Sequence, residues 1–176
     1  LVKSDIYEFK SILLQTTFKD IRRVGKLIIF VLNDDKFLLA HLKMTGQLVY
    51  KEKEIKLAGG HSTKNKIENE TEKYAYIIFT FKDESKLFFN DMRTFGYMQI
   101  VSKEKLETII SKYGIEPLQK NFKFTTFKKL TKSRNVNIKT LLLNQNIIAG
   151  IGNIYADEIL FRAQILPFRT VKSLKS

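Results

Sequence analysis

A chain of 176 residues with 44% hydrophobic content is long enough to bury a proper core, in one domain or two small ones. It has no apolar run near the ~18 residues that a membrane helix needs. It contains no cysteine, which excludes disulfides and Cys-ligated zinc within these residues and fits a reducing cytoplasm. The formal charge of +13, from 31 basic against 18 acidic residues, makes a polyanion the natural partner, with DNA, RNA and acidic membrane surfaces as candidates. An AT-rich coding sequence also gives a protein many Lys, Asn and Ile, so charge alone does not choose among them.

Leu1 to Lys10 is charged where a signal peptide would have its apolar core. Leu1 is not an initiator methionine, so the expectation is a processed chain or a fragment. Ile6, Phe9, Ile12 and Leu13 repeat at near-helical spacing and predict one short amphipathic helix before Asp20. The runs IRRVGKLIIFVL and KFLLAHL, separated by Asn33-Asp34-Asp35, predict a hairpin. In the second run both alternate sets are mostly apolar, as in a strand buried on both faces. Met44-Thr45-Gly46 breaks the chain before a third strand, QLVY. The polar stretch from Lys51 to Glu72 reads as a long mobile loop.

YAYIIFTF and KLFFND form a second predicted hairpin, turning at Lys82–Ser85, and Tyr97 to Val101 forms a sixth strand. The expected fold class is α+β: an antiparallel β-sandwich with helices on its ends. After Val101 the pattern turns helical. Ser102 is placed to cap a helix carrying Leu106, Ile109, Ile110 and Tyr113, ended by Gly114. GIEPL is a connector, and a short helix is expected around Thr126–Lys132.

Asn135 to Ala163 predicts two helices joined by a Gly-containing turn. Ile138, Leu141 and Leu142 give the first its apolar stripe, with Asn135 or Asn137 as its cap. Asn153 is read as the N-cap of the second. Tyr155, Ile159 and Ala163 share one face of it, and Glu158 and Arg162 pair on another. Gly150 and Gly152 let the backbone approach a ligand closely, and the free amides that open the second helix suit a phosphate. The competing reading is an ordinary helix corner, in which Asp157 and Glu158 satisfy the helix dipole instead.

Three other clusters carry two readings each. Arg22, Arg23 and Lys26 grip phosphate, with Lys26 a possible acid–base group, or they form a solvated basic strand edge. Met44 at a turn is core filler or a wedge between bases. In DMRTFG, Phe95 is a second wedge and Arg93 a base-edge or phosphate contact, or the segment is a tight turn with an Asp cap and a packed aromatic. No Ser, His or Cys arrangement makes a hydrolytic triad. His41 and His61, the only histidines, are too few for a metal site.

Together, RRVGK, HLKMTGQL, DMRTFG, GIEPL and IKTLLLNQNIIAGIGNIYADEILFRAQILP resemble the bacterial formamidopyrimidine-DNA glycosylase family in sequence and order, from about Phe18 to Pro167. The resemblance implies base-excision repair: excision of oxidised purines such as 8-oxoguanine and formamidopyrimidines, then cleavage of the abasic strand by β/δ-elimination. It implies residues 1–101 as a β-sandwich of catalytic type, 102–120 as helix and linker, and 121–176 as a helix–two-turn–helix DNA-binding domain. Lys26 matches a proton donor in β-elimination. Met44, Arg93 and Phe95 match the residues that fill the gap left by the everted base. Tyr74, Arg134, Gly152 and Asn153 fall at DNA contacts. The implied partner is double-stranded DNA with an oxidised purine or abasic site, bound by a monomer in the bacterial cytoplasm.

The family's nucleophile is an N-terminal proline followed by a glutamate, whereas the only prolines here are Pro117 and Pro167. Its four-cysteine zinc finger is missing too, so the expectation is no cofactor in this chain and one zinc in the full-length protein. Tyr74 replaces a histidine after Lys73, and Thr94 replaces a common second arginine. A fragment truncated at both ends gives this pattern. The alternatives are a non-catalytic module for damaged, abasic or bent DNA and, least favoured, a basic RNA-binding protein.

Overall fold

The computed structural model describes residues 1–14, 16–60, 73–132 and 134–174. It falls into two compact units, one of Leu1–Arg22 and Leu27–Lys103, the other of Arg23–Lys26 and Glu104–Ser176.

The first unit opens with α1 (Ile6–Leu13), whose free amides at Tyr7 and Glu8 are taken by the Asp5 carboxylate at 2.9 and 3.0 Å. Eight strands follow among the described residues: β1 (Asp20–Val24), β2 (Leu27–Val31), β3 (Lys36–His41), β4 (Gly46–Glu52), β5 (Ile55–Gly60), β6 (Ala75–Thr80), β7 (Lys86–Asp91) and β8 (Tyr97–Ser102). They form two four-stranded sheets, ordered β1-β2-β3-β8 and β5-β4-β7-β6. All the pairings that fix the register among β2 to β8 are antiparallel.

The α+β class and the sandwich are as expected, but two strands were not. IRRVGKLIIFVL is not one strand, because Gly25 at φ +56° turns the chain between β1 and β2. The stretch from Lys51 is not all loop: Ile55–Gly60 pairs with β4, Leu57 lying opposite Tyr50. This is an edge strand whose residues are mostly exposed, so it lacks the hydrophobic alternation by which a strand is read from sequence. The rest of that predicted loop, 61–72, lies outside the described residues, as does His61.

Hydrophobic pattern accounts for the core. Phe37, Leu38, Leu39 and Ala40 of β3 are all buried, as a strand covered on both faces requires. Phe9, Phe30, Leu32, Leu38, Ala40, Phe89 and Met98 pack into one cluster that joins α1 and both sheets. Phe18 adds ring contacts to Phe30, Phe79 and Phe81, with centroids 5.0 to 5.7 Å apart.

The second unit contains α2 (Lys103–Ile110), α3 (Phe124–Thr131), α4 (Ile138–Leu143), α5 (Asn153–Arg162) and a 3-10 turn at Val171–Ser173. Its core joins Ile138, Leu141 and Leu142 of α4 to Ile148, Ile151, Ala156, Leu160 and Val171. The buried face of α5 is therefore Ala156 and Leu160. Tyr155 and Ile159, which share the face named from the sequence, are exposed. The expected Glu158–Arg162 pair is also absent among the described residues; Asp157 instead binds Lys139 of α4 at 2.6 Å.

Candidate nucleic-acid interface

Two connectors cross between the sheets at one corner of the first unit. Strands β3 and β8 lie in one sheet with His41 opposite Tyr97, and β4 and β7 lie in the other with Gly46 opposite Asp91. The turn after His41 and the turn after Asp91 therefore leave the same sheet corner side by side. Residues 49 positions apart meet there: an Arg93 guanidinium N–H lies 3.6 Å from the Met44 sulfur. The same guanidinium sits 4.7 Å from the centre of the Phe95 ring. Met44 and Phe95 are 58% and 52% exposed, so the structure makes neither of them core filler. The Asp-cap reading of this turn holds as well, since Asp91 accepts from the amides of Arg93 at 3.2 Å and Gly96 at 2.6 Å.

Other groups flank this tip. Tyr74 accepts the Asp91 amide through its carbonyl at 3.2 Å, and the Lys73 ammonium lies 5.5 Å from its ring. Lys3 sits 3.8 Å over Tyr97, which stacks on His41, and Lys43 lies 6.0 Å from the same ring. Lys3, Lys43 and Tyr97 were not singled out as site residues from the sequence, where Lys43 stood only as part of HLKMTGQL.

In the second unit, the turn before α5 is built by side chains that the sequence reading passed over. Gln145 accepts from the Gly150 amide and donates to the Ile151 carbonyl, both at 2.8 Å, and Gly150 takes φ +97°. The N-cap is Gly152 and Asn153 is the first helical residue, so the helix begins one position earlier than expected. The first bond of the helix runs from the Ala156 amide to the Gly152 carbonyl at 2.8 Å, so the amides of Asn153, Ile154 and Tyr155 have no intrahelical acceptor. There is no acid in the first turn of α5. Asp157 and Glu158 fall beyond it, which removes the dipole-satisfying alternative.

Lys26 is brought to this turn. Glu116, nearly buried, accepts the Gly25 amide at 2.7 Å and holds Arg23 at 2.8 Å, and Arg23 in turn donates to the Gly25 carbonyl. That fixes the bend carrying Lys26, whose ammonium lies so close to Gly152 that a Cβ there would collide with it. Partial burial lowers the Lys26 pKa from that of an ordinary lysine. An ammonium set against the positive end of a helix is unfavourable until an anion shares both, so the arrangement suits an anion. Of the basic strand edge, Arg22 keeps the bland reading: it is exposed and bound to Asp20. Arg134 is exposed and donates to the Leu130 carbonyl at the end of α3, at 2.6 Å.

Residues 2–98 match the family model of the formamidopyrimidine-DNA glycosylase N-terminal domain, and residues 113–176 match that of the formamidopyrimidine-DNA glycosylase H2TH domain. The chain belongs to the formamidopyrimidine-DNA glycosylase family. The formamidopyrimidine-DNA glycosylase of Brevibacillus brevis is 41% identical over 93% of this chain and 54% of its own length. That of the Wolbachia of Brugia malayi is 40% identical over 88% and 52%. This family member thus spans about half the length of the curated relatives it matches.

Solved structures of the Lactococcus lactis glycosylase are similar as well. The complex with abasic-site DNA gives a TM-score of 0.75 at 29% identity, covering 97% of this chain and 58% of that one. The complex with Fapy-dG DNA gives 0.78 at 29% identity, covering 99% and 61%. The zinc that the family implies does not fit the residues present: the chain has no cysteine, and no group of three His, Cys, Asp or Glu able to hold a metal occurs among the described residues.

Proposed function

We propose that this chain is the DNA-holding part of a base-excision repair enzyme whose whole protein excises oxidised purines, 8-oxoguanine and formamidopyrimidines, and cleaves the abasic strand by β/δ-elimination. One observation carries the reading: Met44, Arg93 and Phe95, from two separate loops, form one exposed tip of two apolar side chains and a guanidinium. Chemistry at a glycosidic bond requires the base to leave the stack, and apolar side chains between base steps hold the gap open. Arg93 supplies donors for the base left without a partner. Relatives solved with abasic-site and Fapy-dG DNA support this partner.

In this reading Asn153 and the amides after Gly152 hold a phosphate, and Tyr74 and Arg134 contact the backbone. Lys26 is the proton donor of β-elimination, and its lowered pKa suits an acid–base group. The working organisation is 1–101 for the sandwich, 102–120 for the linker and 121–176 for the DNA-binding helices, acting as a monomer in the bacterial cytoplasm. No helix of the described residues is long and apolar enough to cross a membrane. One zinc belongs to the full-length protein and not to these residues.

A non-catalytic module for damaged, abasic or bent DNA is the second reading. It is supported by the exposed tip of Met44, Arg93 and Phe95, which needs no catalytic group to occupy a gap in DNA. Both readings predict tighter binding to an abasic-site duplex than to an intact one, and equal affinity contradicts both. Borohydride trapping on an 8-oxoguanine duplex separates activity from binding. No covalent adduct is expected from these 176 residues, and an adduct shows that the chain itself is a lyase.

A further inference from the structure

We propose that Asp91 is a positioning residue that locks the two tips into one rigid body, so that Met44 and Arg93–Phe95 meet DNA together. The inference rests on reading that tip as the DNA wedge. Asp91 ends β7 at 0% exposure, opposite Gly46 in the register. A carboxylate so buried persists only when its lone pairs are filled by good donors. Its partners come from both loops: the Thr45 hydroxyl from one, and the amides of Arg93 at 3.2 Å and Gly96 at 2.6 Å from the other. The Arg93 amide is shared with the Thr45 hydroxyl oxygen, also at 3.2 Å, which closes a three-residue ring of bonds.

The flanks leave no slack. A Cβ on Gly46 would strike the Leu42 backbone, and one on Gly96 would meet the Phe89 ring at 2.9 Å and the Asp91 carboxylate at 3.0 Å. Each tip also holds a non-glycine residue in the left-handed region, Lys43 at φ +52° and Thr94 at φ +57°. Such conformations persist where the surroundings over-determine them. Without the carboxylate the two loops have separate ways to relax, and Met44 and Phe95 no longer share a fixed spacing. Asparagine cannot substitute, because its single acceptor oxygen leaves an NH2 facing an N–H or O–H donor.

The test uses the 176-residue chain, a duplex with a tetrahydrofuran abasic site opposite 2-aminopurine, and the same duplex intact. Asp91→Asn and Thr45→Val are compared with Arg93→Ala and Phe95→Ala, below the melting temperature of each variant. Asp91→Asn is expected to bind intact duplex within about twofold of wild type while losing roughly tenfold in preference for the abasic duplex. The 2-aminopurine signal that reports unstacking should fall with it. Thr45→Val, which leaves the carboxylate in place, should lose about threefold and combine non-additively with Phe95→Ala. If Asp91→Asn does not fold, Thr45→Val and that cycle decide.

Loss of preference in Arg93→Ala and Phe95→Ala, but wild-type preference in Asp91→Asn and Thr45→Val, overturns the positioning role and leaves the wedge standing. Unchanged preference in all four overturns the wedge reading, and the inference with it.

Discussion

Gly152→Ala tests the anion site with a single carbon. Gly152 has φ −117° and ψ −176°, an extended backbone that alanine also adopts, so the substitution brings no backbone strain. Alanine is a poorer N-cap than glycine, at a cost of about 0.5–1 kcal/mol. The new Cβ collides with the Lys26 ammonium and touches its Cε at 3.4 Å, and both are the far end of a flexible side chain that can swing away. The fold should therefore survive with a small loss of stability, while the ammonium leaves the helix terminus. A charge-assisted contact is worth ~1.5–3 kcal/mol. Discounted for the partial exposure of Lys26, its loss should weaken DNA binding by about three- to tenfold, at 1.4 kcal/mol per tenfold. Fluorescence-anisotropy titrations at several salt concentrations read both the loss and the slope of log K against log salt, which should shrink by about 0.9 for one phosphate contact. In a Lys26→Met background, Gly152→Ala should cost no further affinity. Wild-type affinity and salt slope for the single variant would refute the anion site.

Two further outcomes follow from the same unit. Because burial lowers the Lys26 pKa, its grip on phosphate is complete below that pKa and lost above it. DNA affinity should thus begin to fall at a lower pH than an ordinary lysine allows, and Lys26→Arg should postpone the fall; identical pH profiles would contradict this. Folding shows the opposite sign, since the burial cost of the ammonium is relieved as pH rises through the lowered pKa. Glu116→Gln keeps an acceptor for Gly25 but removes the charge that holds Arg23, whose side chain is 50% exposed against 8% for Glu116. It should cost about 1–2 kcal/mol in urea unfolding after solvent screening of Arg23, with DNA affinity falling as the Lys26 bend loosens. An unchanged urea midpoint would show that Arg23 and Gly25 do not depend on this carboxylate.

Much of this was legible in the sequence where one local signal decides. The apolar stripe of Ile138, Leu141 and Leu142 gave α4, and the doubly apolar run Phe37–Leu42 gave a strand buried on both faces. The glycines of the α5 turn marked the break between the two helices, where Gly150 takes φ +97° and Gly152 caps α5. What stayed hidden depends on partners far away in the chain. Glu116 serves Gly25, 91 residues earlier, and Asp91 serves Thr45, 46 residues earlier. Pairings of that kind exist only once the distant segments have been brought together by folding. The buried face of α5 was hidden for a different reason. Ile154, Tyr155, Ile159 and Phe161 are apolar yet exposed, so the apolar pattern runs around the helix and does not single out Ala156 and Leu160.

The wedge at the sandwich corner is the central claim, and a ratio of two affinities tests it most directly. Binding of the 176-residue chain to an abasic-site duplex and to the same duplex intact is measured for wild type, Met44→Ala and Arg93→Ala at one fixed salt concentration. The account predicts that both variants lose roughly tenfold more on the abasic duplex than on the intact one. Equal losses on the two duplexes would contradict it, reducing Met44 and Arg93 to general surface contacts.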